Sequence, residues 1–234
     1  MSQIRKHPET IVSSQLGVNS FLRGVYAWMT AGLAVTAATA WYVAHSPFLL
    51  NLLFSSKYTI ILLCLAKLGL VIVLTSNIHK MSAGVATFMF MLYSTMCGVV
   101  FSILLLVYPS EAFIKAFAAA ASTFAVFSVY GLVTKRDLTS LGSFMFVGLL
   151  GIIIASLVNF FTRSPALDYA ISVIGVIVFL GLTAYDTQKL RRMGESAPQD
   201  DSVAVRRGTI LGALTLYLDF INLFIFMLRL FGRR

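Results

Sequence analysis

The last apolar segment of the sequence, residues 209–231, reads TILGALTLYLDFINLFIFMLRLF and decides the class of fold. Asp219 and Arg229 are its only charged residues. A helix needs about 20 mostly apolar residues to cross a bilayer, and this segment is long enough. The sequence therefore predicts a transmembrane helix here, with one carboxyl group well inside it.

The composition of the whole chain gives the same class. Of its 234 residues, 59% are hydrophobic and 12% charged, and the mean hydropathy is +0.89. A soluble domain is about 25% charged, and one of this size could not bury so much apolar surface. The net charge of +9 is interpreted as basic loops facing an anionic leaflet, so the expected partner is the lipid bilayer and not nucleic acid. Two cysteines exclude a disulfide scaffold.

Seven stretches of the sequence qualify as spans. They are long continuous runs, not the short alternating segments of a β-barrel, so the predicted fold is an all-α integral membrane protein with seven transmembrane helices. The predicted spans are Gly24–Ala44, Tyr58–Asn77, Met81–Val107, Ala112–Val133, Leu141–Phe161, Tyr169–Gln188 and Thr209–Phe231. Residues 1–22 are predicted as a polar cytoplasmic tail without a signal peptide. Residues 23–234 are predicted as one domain, with a hydrated cytoplasmic loop over 189–208.

The distribution of lysine and arginine predicts the orientation, because cytoplasmic loops carry the excess. With the N-terminus inside and the C-terminus outside, 11 basic residues lie on the cytoplasmic side and 5 on the other. The inside set is Arg5, Lys6, Arg23, Lys80, Lys135, Arg136, Lys189, Arg191, Arg192, Arg206 and Arg207. The outside set is Lys57, Lys115, Arg163, Arg233 and Arg234.

Asp219 is the most informative charge, because a charged group at the bilayer centre costs about 2.5–3.5 kcal/mol and needs protein or water around it. On a helical wheel it shares a stripe of small and polar residues with Gly208, Gly212, Thr215 and Asn222. We expect this stripe to face the bundle interior and the apolar face of Leu214, Tyr217, Leu218, Ile221 and Phe224 to lie opposite. Asp219 is then either a proton or ion site or a carboxyl that is hydrogen-bonded only for packing.

Two further charges lie within predicted spans. Asp186 is near the cytoplasmic end of the sixth span, where it could meet Asp219 or form a salt bridge to Lys189, Lys135 or Arg136. Two carboxyl groups held together in a low dielectric cannot both ionise cheaply, which is the physical basis of a pH sensor. Lys67, midway along the second span, either extends its ammonium group to the interface or is a counter-ion for an aspartate.

The motifs of common enzymes are absent from the sequence. It has no P-loop, dinucleotide fingerprint, His-Glu-x-x-His or Cys-x-x-Cys, so no catalytic residue, metal site or cofactor is predicted. A presenilin-type aspartyl protease is the nearest enzymatic alternative, since Tyr185-Asp186 matches its first motif. The residues before Asp219, Leu216-Tyr217-Leu218, lack the glycines of its second motif.

Two motifs carry a resemblance to a known family. Residues 184–188 read AYDTQ and residues 214–224 read LTLYLDFINLF. With them the chain resembles the Bax inhibitor-1 family, also called the transmembrane Bax inhibitor motif family. The resemblance covers nearly the whole chain and includes VYAWM at 25–29, TKRDL at 134–138 and LRLFG at 228–232.

The resemblance implies a fold and a function. Six helices are expected to wrap a central seventh, with Asp186 and Asp219 as a paired-aspartate pH sensor and Lys67, Thr215 and Asn222 as neighbours of the pathway. The implied function is a pH-sensitive calcium leak in a bacterial inner membrane. The alternative is a non-conducting protein that binds and modulates a membrane-bound AAA protease through residues 1–22. Lys67 stands where some leak-competent relatives carry an acidic residue.

Overall fold

The computed structural model describes residues 8–196 and 201–232, and within these ranges the chain is helical, with no strand. The helices are α1 (Pro8–Ala44), α2 (Pro47–Phe54), α3 (Lys57–Asn77), α4 (Ala83–Val107), α5 (Ser110–Val133), α6 (Thr139–Thr162), α7 (Pro165–Ser196) and α8 (Ser202–Phe231). Six of the helices described, α3 to α8, are long and apolar enough to cross a membrane. The α1–α2 pair, bent by 91°, makes a seventh if it is counted as one span. An all-α multi-span membrane protein is confirmed.

Short polar residues begin several of these helices. The side chain of Ser82 accepts a hydrogen bond from the amide of Val85 at the start of α4, and that of Asp201 accepts one from Ala204 at the start of α8. Such caps satisfy amides that have no partner within the helix. At the end of α6, Arg163 turns the chain with a φ of 50°. The helix ends therefore follow from capping side chains and from single turn residues, and the long helices between them follow from continuous apolar sequence.

Helix α8 occupies the centre of the bundle, as predicted. It contacts α1, α4, α5 and α7 directly, while α3 packs against α4 and α6 packs against α7. Four helices thus contact α8 directly, and α3 and α6 lie outside them on two sides. The outermost helices, α3 and α6, expose large apolar side chains such as Leu62, Phe144 and Leu157. In a bilayer these side chains contact lipid instead of water, so their exposure carries no hydrophobic penalty.

The wheel prediction for α8 is wrong in one respect, because the helix has no outward apolar face. Leu214, Tyr217 and Phe224 from the predicted opposite face are buried, whereas Thr215 and Asn222 from the polar stripe are only half-buried. A helix surrounded by neighbours packs on nearly every side, so polarity alone does not tell its inner from its outer face.

The segment predicted as a loop over 189–208 is largely helical. Helix α7 continues to Ser196 and α8 begins at Ser202. An ion pair of 3.0 Å between Arg191 and Glu195, one turn apart, supports the end of α7. Gly194 is typical of a turn, but here it lies within the helix and lets the Phe21 ring approach closely. A Cβ at this position would lie only 3.1 Å from that ring. Residues 197–200 lie outside the described part of the chain.

The boundary predicted at residue 22 falls inside a helix. Helix α1 begins at Pro8, and Phe21 is buried against α7 and α8. The final residues of the predicted tail are therefore part of the bundle, and residues 1–7 lie outside the described residues. The short helix α2, which was not predicted, follows the bend at Ser46 and has Pro47 in its first turn, a position that suits proline.

Candidate functional site

The side chains of Asp186 and Asp219 meet between α7 and α8. They lie within hydrogen-bonding reach of each other, as expected for residues at comparable depth on consecutive antiparallel helices. Asp219 is only 5% exposed, and its Oδ2 atom is buried with no hydrogen-bond partner among the described residues. Asp186 is half-buried, and Lys189, one turn further along α7, acts on it electrostatically. The site is a carboxyl pair with one member in the core and one nearer to the helix end.

Close packing of α7 on α5 fixes the position of Asp186. A Cβ at Gly131 of α5 would come closer than 3.0 Å to the backbone oxygen of Ala184, a separation that real Cβ atoms essentially never show. The hydroxyl groups of Ser128 and Thr187 lie 3.2 Å apart just beside this contact, and the Tyr26 hydroxyl of α1 bonds to Ser128. The backbone around Asp186 is therefore held by small residues on one side and by hydroxyl hydrogen bonds on the other.

Gln188 and Arg191 fasten the same part of α7 to the α5–α6 loop and to the last turn of α5. Gln188 accepts a hydrogen bond from the Leu138 amide at 2.9 Å and donates one to the Arg136 carbonyl at 2.8 Å. Arg191 donates to the Leu132 carbonyl at 2.6 Å. The sequence analysis missed these two roles. The available signal was the AYDTQ motif, in which Gln188 lies two residues after Asp186.

Asp137 adds an ionic contact to this loop. Its Oδ1 atom accepts hydrogen bonds from the hydroxyl and the amide of Thr139, at 2.6 and 2.9 Å, and lies 3.0 Å from the Arg192 guanidinium. These hydrogen bonds, together with the arginine, lower the pKa of Asp137 to about 2. The carboxylate is therefore charged at any physiological pH, and it ties α7 to the start of α6.

Lys67 lies apart from the aspartate pair. Its ammonium group is 5.7 Å from the centre of the Tyr93 ring on α4, a cation–π contact. No ion pair within the described residues joins it to either aspartate, so the counter-ion hypothesis is not supported. Thr215 and Asn222 also bond elsewhere, to the carbonyls of Leu211 and Leu218 of their own helix.

A second polar cluster lies between α8 and helices α1 and α4. The Thr36 hydroxyl lies within hydrogen-bonding distance of the backbone oxygens of Ser94, at 2.9 Å, and Gly32, at 3.0 Å. It also lies 2.6 Å from the hydroxyl of Tyr217. Tyr217 is fully buried and makes an edge-on contact with the Tyr93 ring. These bonds satisfy a large polar side chain in the core and fix the rotation of α8.

The ends of the helices that carry basic residues lie together at one end of the bundle. Arg207 of α8 donates to the His79 carbonyl in the α3–α4 turn at 2.9 Å. Arg192 of α7 reaches Asp137 in the α5–α6 loop. The opposite end holds Arg229, 3.8 Å from Asp168. The structure thus groups the described basic residues of the predicted inside set, while Arg5, Lys6, Arg233 and Arg234 lie outside the described residues.

Comparison with known proteins gives the family. Residues 18–234 match the family model described as inhibitor of apoptosis-promoting Bax1. The inner membrane protein YbhL of Escherichia coli K12 is 50% identical over 226 residues, which cover 97% of each chain. An uncharacterized protein of Deinococcus radiodurans is 44% identical, over 93% of this chain and 92% of its own. One of Borreliella burgdorferi is 40% identical, over 92% and 93%. With a match across nearly its whole length and relatives this similar, the chain belongs to the Bax inhibitor-1 family of membrane proteins.

Proposed function

We propose that this protein is a pH-sensitive calcium leak of the inner membrane, with Asp186 and Asp219 as its sensor. The observation that supports it is the meeting of the two carboxyl groups at the packed α7–α8 contact. Two carboxylates this close repel each other in a low dielectric medium. The free energy of the α7–α8 contact therefore depends on how many protons the pair carries, and a change in pH changes that packing.

The surroundings of the pair suit such a sensor. Asp186 is half-buried near the end of its helix, with Lys189 nearby, whereas Asp219 is in the core. The hydrogen bonds of Gln188 to the α5–α6 loop and of Arg191 to the last turn of α5 lie just after Asp186 on the same helix. A displacement of α7 would therefore be transmitted to that loop. The inner-membrane location is proposed from the similarity to YbhL, an inner membrane protein.

Calcium flux in proteoliposomes tests this function. Wild-type protein reconstituted with a calcium indicator is expected to give different fluxes at two pH values, and Asp219→Asn is expected to lose that difference. Asparagine preserves the volume and hydrogen bonding of the side chain but cannot ionise. Asp168→Asn is the matched control, because Asp168 lies at the other end of α7 beside Arg229 and its replacement should leave the pH response intact.

The outcomes decide between two functions. A full pH response in Asp219→Asn, with insertion confirmed, would remove the aspartate pair as the sensor. Absence of calcium flux in the wild type at both pH values would overturn the leak. The alternative, a non-conducting partner of a membrane-bound AAA protease, would then be tested by co-purification of the full chain with such a protease.

We also propose that the N-terminus is cytoplasmic and the C-terminus outside. The grouping of basic helix ends on one side of the bundle supports this orientation, because such ends are retained in the cytoplasm. A reporter that is active only in the cytoplasm, fused after Arg234, is expected to be inactive. Activity of this fusion would reverse the orientation.

A further inference from the structure

An open apolar cavity lies between α1 and α5, which do not pack against each other along this stretch. Its volume is about 580 Å³, nearly four times that of an apolar cavity of about 150 Å³ that accommodates benzene. Its floor is formed by Phe220, Ile221 and Phe224 of α8, and Ala37 and Ala118 lie on its two sides. Both alanines are exposed, so the cavity is open to whatever surrounds the bundle.

Water does not suit this cavity. Apart from Thr36 and the indole of Trp41 its lining is apolar, and the Thr36 hydroxyl already lies within bonding distance of Ser94 and Tyr217. Water needs two to four polar partners to occupy a buried site. An empty cavity of this size would lose dispersion contacts along every wall. Since the opening lies on the membrane-facing side of helices long enough to span the bilayer, the surrounding molecule is lipid.

The end of the bundle next to the cavity carries a pair of opposite charges. Lys115 lies 2.7 Å from Glu111 on the first turns of α5, and both side chains are more than half exposed. Glu111, Lys115 and Ala118 fall on one stripe of the helix, at i, i+4 and i+7. The ion pair therefore stands above the cavity, toward the end where α5 begins. A positive and a negative group side by side complement a headgroup that carries both a phosphate and an amine.

We propose that this cavity binds one acyl chain of a zwitterionic phospholipid, whose phosphate lies at Lys115 and whose amine lies at Glu111. The acyl chain would pack against Phe220 and Phe224 and so cover α8 where α1 and α5 leave it uncovered. The lipid is then a structural ligand of the bundle, exchanging more slowly than the lipids around α3 and α6. This binding does not depend on whether the protein conducts calcium.

Native mass spectrometry of the full chain released from phosphatidylethanolamine nanodiscs tests the proposal. The wild type is expected to retain one phospholipid. Ala37→Phe/Ala118→Phe places two rings in the cavity opening and is expected to reduce the lipid-bound fraction about tenfold relative to the wild type. The matched control is Ala66→Phe/Ala125→Phe, which makes the same changes at exposed positions of α3 and α5 outside the cavity and should retain the lipid.

Two further measurements identify the ligand. Lys115→Gln is expected to weaken retention of phosphatidylethanolamine. The wild type is expected to retain phosphatidylglycerol, which lacks the amine, less well than phosphatidylethanolamine. Equal retention by the cavity and control variants would overturn the cavity as the site. Retention of oleic acid in preference to phospholipid, or of both phospholipids equally, would overturn the assignment of a zwitterionic headgroup. If the double variant does not fold by circular dichroism, Ala118→Leu with spin-labelled phosphatidylethanolamine replaces it, and an unchanged immobilised fraction then counts against the proposal.

Discussion

Replacing Gly131 by alanine isolates the contact that positions Asp186. The added Cβ would approach the Ala184 oxygen to less than 3.0 Å, whereas ordinary contact begins at 3.4 Å. Backbone atoms cannot rotate away as a side chain can, so α5 and α7 must move apart. Overpacking of this kind costs about 1–3 kcal/mol, and the higher helix propensity of alanine offsets about 1 kcal/mol of it. We expect a net loss of up to about 2 kcal/mol in the free energy of unfolding.

Thermal unfolding in detergent measures this loss. For a chain of this size, 1 kcal/mol corresponds to about 2–4 °C in Tm, so Gly131→Ala should lower Tm by up to about 8 °C. Gly151→Ala on α6 is the matched control, because nothing lies within 4 Å of a Cβ at that position, and it should raise Tm slightly. If Gly131→Ala proves as stable as Gly151→Ala, the tight α5–α7 contact does not exist and the account of how Asp186 is positioned fails with it.

Three further predictions concern the groups around the site. Gln188→Leu leaves the buried Leu138 amide and the part-buried Arg136 carbonyl without their side-chain partner and should cost about 1–3 kcal/mol of unfolding free energy. An unchanged denaturation midpoint would refute its role. The pKa of Asp137 is lowered from 3.8 to about 2. Its contact with Arg192 is therefore fully present above about pH 4 and is lost as the pH falls through about 2. Carbon-13 NMR of the Asp137 carboxyl should show no titration at pH 4 or above. Lys67→Met removes the cation–π contact with Tyr93, worth about 0.5–2 kcal/mol, but also a charge within a span that costs about 2.5–3.5 kcal/mol. It should therefore not lower stability, and it should leave the pH dependence of calcium flux unchanged. A shifted flux profile in that variant would place the ammonium near the pathway after all.

The sequence predicted the fold class and the pairing of the aspartates because both depend on features that are local in the chain. Apolar length fixes a span, and Asp186 and Asp219 fall at similar depths on adjacent antiparallel helices. The partner of Lys67 depends on which helix lies next to α3, and the hydropathy of the sequence does not predict which helix that is. Gly131 appears in the sequence as one small residue among several, and its close approach to Ala184 is visible only once α5 and α7 are packed.

The helix ends were the least predictable part of the fold. Gly194, Ser196 and Pro198 indicate a loop when they are read as single residues. In the folded protein the ring of Phe21 packs against Gly194. The glycine therefore serves close helix packing and does not form a turn. Local propensity gives way here to a contact between residues more than 150 positions apart in the chain.

The central position of α8 has a consequence for the synthesis of the protein. Every helix that packs against α8 precedes it in the chain, so the ribosome delivers the wall of the bundle before its centre. Until α8 enters the membrane, Thr36 lacks the tyrosine hydroxyl, and Asp186 lacks the other carboxyl group. The partly made protein is a mostly apolar wall without its central helix, and the few polar groups that face α8 wait for their partners. Insertion of α8 therefore completes the core in a single step.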